Sequence, residues 1–343
     1  MELNDAALRQ LADLEQDERS ILSLFLDLSD GWEAAESRLT ESADRVRSAL
    51  DGSEEGALDV ALELADEEIS RRKAENEEAH GLAVFVSPDD GVQHSIRLPT
   101  APRPLLTFDE EATIYPLALQ LDEYEPVGVI VADASGARIL VVAGSVRREL
   151  DSVRASIRHL SKVGGWSQMR YQRRRGEQVK RAAGEIVDAA EQAFDDEGVD
   201  RILLAGRGRM ITALREAMPQ SMAENVIGTL AWDLDAGDDE LLAEARPVLE
   251  AAERAEEREL LERFRSELRR GGLAAAGPEE VRKALEWGAV DVLLMAPDCC
   301  GDDTEELATL ATTTSAEIEI VPEPGRVLAA NGGVGALLRF PVY

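Results

Sequence analysis

Lys162-Val163-Gly164-Gly165-Trp166-Ser167-Gln168-Met169-Arg170-Tyr171-Gln172-Arg173-Arg174-Arg175 is the most informative stretch of this 343-residue chain. A glycine pair breaks regular structure and lets the backbone reach positive φ. The polar, proline-free run after it favours a helix from about Met169 to Glu197. Residues 161–168 are therefore expected to form an exposed loop that leads into a basic helix. Taken alone, Gly164-Gly165 is an ordinary turn and Trp166 an ordinary core residue.

The charge around this stretch sets it apart. The chain carries 69 acidic against 37 basic residues, a net charge of −32. Between Arg147 and Arg181, however, eleven basic residues outnumber three acidic ones, a local excess of +8. Positive charge concentrated on an otherwise acidic body is the footprint of a phosphate contact. A solvated helix face is the plainer alternative. Lysine occurs only at Lys73, Lys162, Lys180 and Lys283, and carboxylates dominate elsewhere. That balance suits a salt-rich cytoplasm, where ions screen self-repulsion, and hence a halophilic archaeon.

Working outward, strand-like runs at Ile21–Leu28, Gly81–Val86, Val92–Leu98, Val127–Ala132, Ala137–Ala143, Ile202–Ala205 and Val226–Trp232 alternate with helical stretches. Helices are expected at 5–16, 31–50, 55–78, 209–217 and 238–270, with Pro247 kinking or dividing the last. Pro99, Pro102, Pro104 and Pro116 mark an extended connection. The tail reads helix 278–287, strand 290–296, helix 303–314, strand 317–321 and strand 334–340. The fold class is α/β in three domains: 1–122, 123–236 and 237–343.

Several function classes are disfavoured. No apolar run reaches the ~18 residues of a membrane span, and no signal peptide is visible, so the chain reads as cytoplasmic. The only cysteines, Cys299 and Cys300, are adjacent, and His80, His94 and His159 are scattered, so no metal or other cofactor is expected. Gly206-Arg207-Gly208-Arg209 lacks the lysine and length of a P-loop and reads as a tight turn. Glu253, Glu256, Glu257 and Glu259, interleaved with arginines, read as an ion-paired surface.

The loop and helix resemble the archaeal-eukaryotic peptide-chain release factors, in which a Gly-Gly-Gln loop precedes a helix of the pattern Ser-x-x-Arg-aromatic-x-Arg-x-Arg. Ser167, Arg170, Tyr171, Arg173 and Arg175 match in register. Supporting likenesses are Gly81–Val86, Val129–Arg138 and Gly332–Phe340, which resemble the end of the family's N-terminal domain, the opening hairpin of its middle domain and the closing strand of its C-terminal domain. The resemblance implies a ribonuclease-H-like middle domain and an L7Ae-like α/β/α C-terminal domain. It also implies a monomer that acts on peptidyl-tRNA at the large-subunit peptidyl-transferase region of the ribosome.

Two departures shape the functional reading. Trp166 stands in the register of the family's glutamine, and glutamine appears two places later, at Gln168. The family's Asn-Ile-Lys-Ser decoding motif has no counterpart in the acidic stretch Asp51–His80. The expectation is thus codon-independent hydrolysis of the peptidyl-tRNA ester on stalled or split ribosomes, as in the divergent branches of ribosome quality control. Gln168 can orient a water, because an amide both donates and accepts. The backbone at Gly164, Gly165 and Ser167 can supply an oxyanion donor. Trp166 and Tyr171 can stack on bases, and Arg170, Arg173, Arg174 and Arg175 can hold phosphates. The rivals are a non-catalytic ribosome-binding surveillance factor, a stop-codon-dependent release factor and an RNA endonuclease.

Changing Arg173, Arg174 and Arg175 to alanine together should weaken ribosome association and flatten its salt dependence. Co-sedimentation across a salt series reads this out; an unchanged salt slope would remove RNA contact from the helix.

Overall fold

The structure, a computed structural model, describes residues 3–14, 20–75, 79–89, 91–123, 126–143, 146–154, 167–234, 237–297, 299, 303–322 and 325–342. It is a mixed α/β protein with three sheets. Two compact units divide the chain: Met1–Tyr124 together with Glu259–Tyr343, and Glu125–Arg258.

The composite unit begins with α1 (Asp5–Ala12), whose N-terminus is capped by Asn4 accepting from Ala7 N at 2.9 Å. Strand β1 (Ile21–Asp27) follows, then α2 (Trp32–Arg47), α3 (Gly52–Glu75), β2 (Gly81–Ser87), β3 (Val92–Leu98), β4 (Leu105–Asp109) and α4 (Tyr115–Glu123). The strands form an antiparallel sheet in the order β3-β2-β1-β4. The apolar run of β1, interrupted by Ser23, reflects burial on both faces. Ile21 and Phe25 face the core under α1 and α4, whereas Leu22, Leu24 and Leu26 face the core under α2 and α3. Phe25 and Phe85 meet edge to face across the β1–β2 pair, with ring centroids 5.8 Å apart.

The inserted unit carries β5 (Val127–Ala132), β6 (Gly136–Ala143), β7 (Val146–Arg154), α5 (Ser167–Glu197), β8 (Arg201–Gly206), α6 (Arg209–Ala217), α7 (Gln220–Glu224), β9 (Val226–Leu230) and the first part of α8 (Asp238–Arg270). The sheet runs β7-β6-β5-β8-β9. Strands β5, β6 and β7 pair antiparallel, and β5–β8 and β8–β9 pair parallel. Alternate residues of β5 serve two cores. Ile130 and Ala132 face α5, α6 and α7, while Val127, Val129 and Val131 face Leu241 and Ala245 of α8.

The rest of α8 returns to the composite unit, followed by β10 (Ala274–Ala276), α9 (Pro278–Glu286), β11 (Val290–Met295), α10 (Asp303–Thr313), β12 (Glu317–Ile320), α11 (Gly325–Ala329) and β13 (Val334–Leu338). Their sheet, β10-β13-β11-β12, has one parallel pair, β11–β12.

Three expectations change here. The proline-rich stretch is not a plain connection: β4 pairs with β1 along the sheet edge, and α4 follows. Prolines at 99, 102 and 104 precede the strand, where a missing N–H costs no ladder bond. Pro247 does not divide α8, which runs as one helix from Asp238 to Arg270. Packing of Leu241 and Ala245 before it, and of Val248 and Leu249 after it, secures both sides. Thirdly, part of the basic segment is strand: β7 supplies Arg147, Arg148 and Arg154.

The Phe264 ring of α8 is fully buried, 2.4 Å from where a Cβ on Gly335 of β13 would sit. Phe264→Ala should cost about 3–5 kcal/mol through the cavity it leaves. Gly335→Ala should destabilise the wild type and do less damage in a Phe264→Leu background. Thermal or denaturant melts of the double-mutant cycle test this, and simple additivity would refute the close approach.

Candidate functional site

The candidate site is built on one hairpin and one helix of the inserted unit. Strand β6 runs antiparallel to β5 from a turn fixed by Asp133, whose Oδ1 accepts from Ser135 N at 2.6 Å and Gly136 N at 3.3 Å. Strand β7 returns along β6 as the sheet edge. On it, Glu149 accepts from Arg138 Nε across the pair at 2.9 Å, and Leu150 and Val153 pack toward the core under α5.

Helix α5 is 31 residues long, about 46 Å at 1.5 Å per residue. Its contacts divide it. Val179, Ala182, Ala183, Ile186, Val187, Ala190 and Phe194 recur at helical spacing and pack on the sheet and on α6. Ahead of Val179, Glu177 and Gln178 are exposed. The seat at the far end is tight. A Cβ on Gly128 of β5 would lie 2.5 Å from Phe194 Cζ, so glycine lets the aromatic ring lie flat on the strand. Lys180 reaches Glu216 of α6 at 3.4 Å, an exposed pair of little energetic weight.

Ser167 is the first residue of α5, two positions ahead of the expected start at Met169. Gln168, Arg170, Tyr171, Arg173, Arg174 and Arg175 follow within its first turns. Position 170 thus lies about one turn ahead of positions 173 and 174. Gly164, Gly165 and Trp166 lie outside the described residues, within 155–166. What the sequence reading missed is β7, which extends the basic segment backward along the sheet edge. Its signal was the apolar pair Leu150 and Val153 among charged neighbours.

The lesser candidates resolve as local structure. Arg207, in the turn between β8 and α6, pairs with Asp233 at 3.1 Å. On α8, Glu250 pairs with Arg254, and Glu256 reaches Arg201 of β8. Among the described residues no group of three or more His, Cys, Asp or Glu is arranged to hold a metal, and no helix is long and apolar enough to cross a membrane.

The site and fold can now be set beside known proteins. Residues 113–257 match the family described as bacterial archaeo-eukaryotic release factor family 10, and residues 254–342 match eRF1 domain 3. Peptide chain release factor subunit 1 of Archaeoglobus fulgidus is 28% identical over 296 residues, covering 71% of this chain and 72% of that protein. The pelota homolog of Pyrococcus abyssi is 27% identical over 313 residues, covering 84% of each. Among solved structures, a model of ribosome-bound archaeal Pelota and ABCE1 aligns over 77% of this chain and 78% of that one, at 20% identity and a TM-score of 0.49. Two release-factor family models thus match adjoining parts of the chain, which is similar to both release factor subunit 1 and pelota proteins.

Proposed function

We propose that this protein hydrolyses the peptidyl-tRNA ester on stalled or split ribosomes without reading a codon. The observation that carries the reading is the match of residues 113–257 to a release-factor family, because that span includes Gly164-Gly165-Trp166-Ser167-Gln168 and the whole of α5. The reaction needs a positioned water and a donor for the developing oxyanion; the ribosome supplies the remaining walls.

In this reading Gln168 orients the water through its amide. Trp166 occupies the family's glutamine register, but indole offers one N–H and no acceptor. Backbone N–H groups around Gly164, Gly165 and Ser167 stabilise the oxyanion. Arg170, Arg173, Arg174 and Arg175 hold RNA phosphates of the large subunit or the tRNA, and Trp166 and Tyr171 stack on bases. Helix α5 acts as a strut: its packed half runs from Val179 to Phe194, and its first residue, Ser167, stands about 18 Å of helix ahead of Val179.

The finer architecture belongs to the same proposal. The middle sheet, with three antiparallel strands followed by two parallel ones, supports a ribonuclease-H-like assignment for 123–236. The match to eRF1 domain 3 supports an L7Ae-like assignment for 237–343. Residues 1–122 then form a degenerate counterpart of the decoding domain. Acidic α3 spans most of the stretch where a decoding motif would fall, which argues against stop-codon recognition. The protein works as a cytoplasmic monomer that needs no cofactor. A second reading, a surveillance factor that binds ribosomes without cutting, is favoured by the pelota homolog that matches 84% of the chain.

Gln168→Ala should slow single-turnover peptide release by roughly 10²–10³, the scale of losing one positioned polar group. Gly165→Ala should do comparable damage by restricting the backbone. Both variants should still co-sediment with ribosomes. The measurement is the conversion of peptidyl-tRNA into free peptide and intact tRNA. Wild-type release by Gln168→Ala would remove the water-positioning role. A wild type that binds ribosomes and releases nothing would establish the surveillance reading.

A further inference from the structure

Glu305 takes no part in that chemistry, yet it is the carboxyl whose burial has the largest consequence. It lies on α10, where the two chain segments of the composite unit meet. Its Oε1 accepts the backbone N–H of Ile114, and both its oxygens lie within reach of Tyr115 N, at 3.1 and 3.2 Å. Those are N–H groups at the start of α4, which no carbonyl of the helix itself can satisfy.

Helix α4 belongs to both segments. Leu117 and Ala118 are buried in the N-terminal core, and Tyr115 and Leu119 pack on the C-terminal one. The Tyr115 hydroxyl donates to the Pro297 carbonyl at 2.9 Å. At the helix's other end, Asp122 Oδ1 accepts from Ile320 N of β12 at 3.1 Å. Side chains from both ends of the helix thus grip the C-terminal segment, while Glu305 reaches back to grip its first turn.

Of the elements packed against α10, α9 carries Glu279, Glu280, Arg282, Lys283 and Glu286, and α4 carries Asp122 and Glu123. Glu111, just ahead of α4, is the charge that acts on Glu305, and it repels. On α10 itself, Asp303 and Glu306 are ion-paired with Arg282 of α9 at 3.1 and 2.7 Å. Helix α1, which packs against α10, carries Asp5 and Arg9. Strand β12 carries Glu317 and Glu319. Among the described residues, no cation is among the influences on Glu305.

We propose that Glu305 is a protonation-sensitive latch that fastens α4, and with it the N-terminal segment, to the C-terminal segment of the composite unit. Burial pushes its carboxyl up to about 7, assisted by Glu111 and opposed by the two backbone N–H donors. Released into water, the same group returns toward the ordinary 4.5. The latched state therefore binds the proton more tightly than the open one. Its stability is full below about 4.5, falls as pH rises toward about 7, and is flat above that.

The test is hydrogen–deuterium exchange of the full chain at fixed high salt from pH 4.5 to 8.5, corrected for intrinsic exchange rates. In the wild type, protection of residues 114–123 should fall with rising pH, by up to about tenfold per pH unit below pH 7. In Glu305→Gln, a neutral amide whose oxygen still accepts both N–H groups, protection should stay high and flat. Amides of Ile186–Phe194 in α5 should respond identically in both proteins. A flat wild-type profile, or the same slope in Glu305→Gln, overturns the latch. Should Glu305→Gln fail to fold, Glu111→Gln provides the second arm. Removing its charge should move the wild-type transition to lower pH, and an unmoved transition overturns the proposal.

Discussion

The sharing of α4 between two cores is the constraint on which the composite unit rests. A nine-residue helix cannot hold itself together in water. It persists because Leu117 and Ala118 are buried with β1 and α1, while Tyr115 and Leu119 pack with the C-terminal core. Ile318 of β12 touches both clusters, so the two hydrophobic cores are continuous through one residue. Because each contact depends on ordering two distant segments, loss of the helix would leave apolar faces of both exposed to water.

The inserted unit solves a different problem. It carries the densest positive charge of the protein, between Arg147 and Arg181. The helix that carries much of it is 31 residues long. Its second half buries a regular apolar stripe from Val179 to Phe194. The seat of Phe194 on Gly128 fixes the lower end. An acidic remainder leaves that helix as the principal place where a polyanion is attracted rather than repelled.

Much of this was legible in the residues. The run Ile21–Leu28 could only be a doubly covered strand, and Gly81–Val86 with Val92–Leu98 around Ser87-Pro88-Asp89-Asp90-Gly91 could only be a hairpin. The long helices were visible from apolar spacing and charge. What remained hidden was hidden for physical reasons. Strand β4 is five residues long and follows three prolines, so its pairing is decided by β1 rather than by its own sequence. Strand β7 reads as charged because it lies on an edge; Leu150 and Val153 turn inward. Pro247 looked like a break because local propensity cannot register the packing on either side of it. Of the candidate site, the residue types, their order and the basic helix were readable. The role of Glu305 was not, because a glutamate in the first turn of a helix is ordinarily solvated, and only the distant backbone of Ile114 and Tyr115 makes it otherwise.

The discontinuity of the composite unit bears on how the protein comes into being at the ribosome. Residues 125–258 form a compact unit of one continuous segment and can close a core once they have emerged. The first 124 residues cannot complete theirs in the same way, because α1 and α4 pack against α10, which starts 180 residues after the end of α4 and 291 after the end of α1. During synthesis the N-terminal segment must wait, partly uncovered, for the last quarter of the chain. A strongly charged sequence is well suited to that interval, since mutual repulsion keeps an unfinished nascent chain from joining its neighbours.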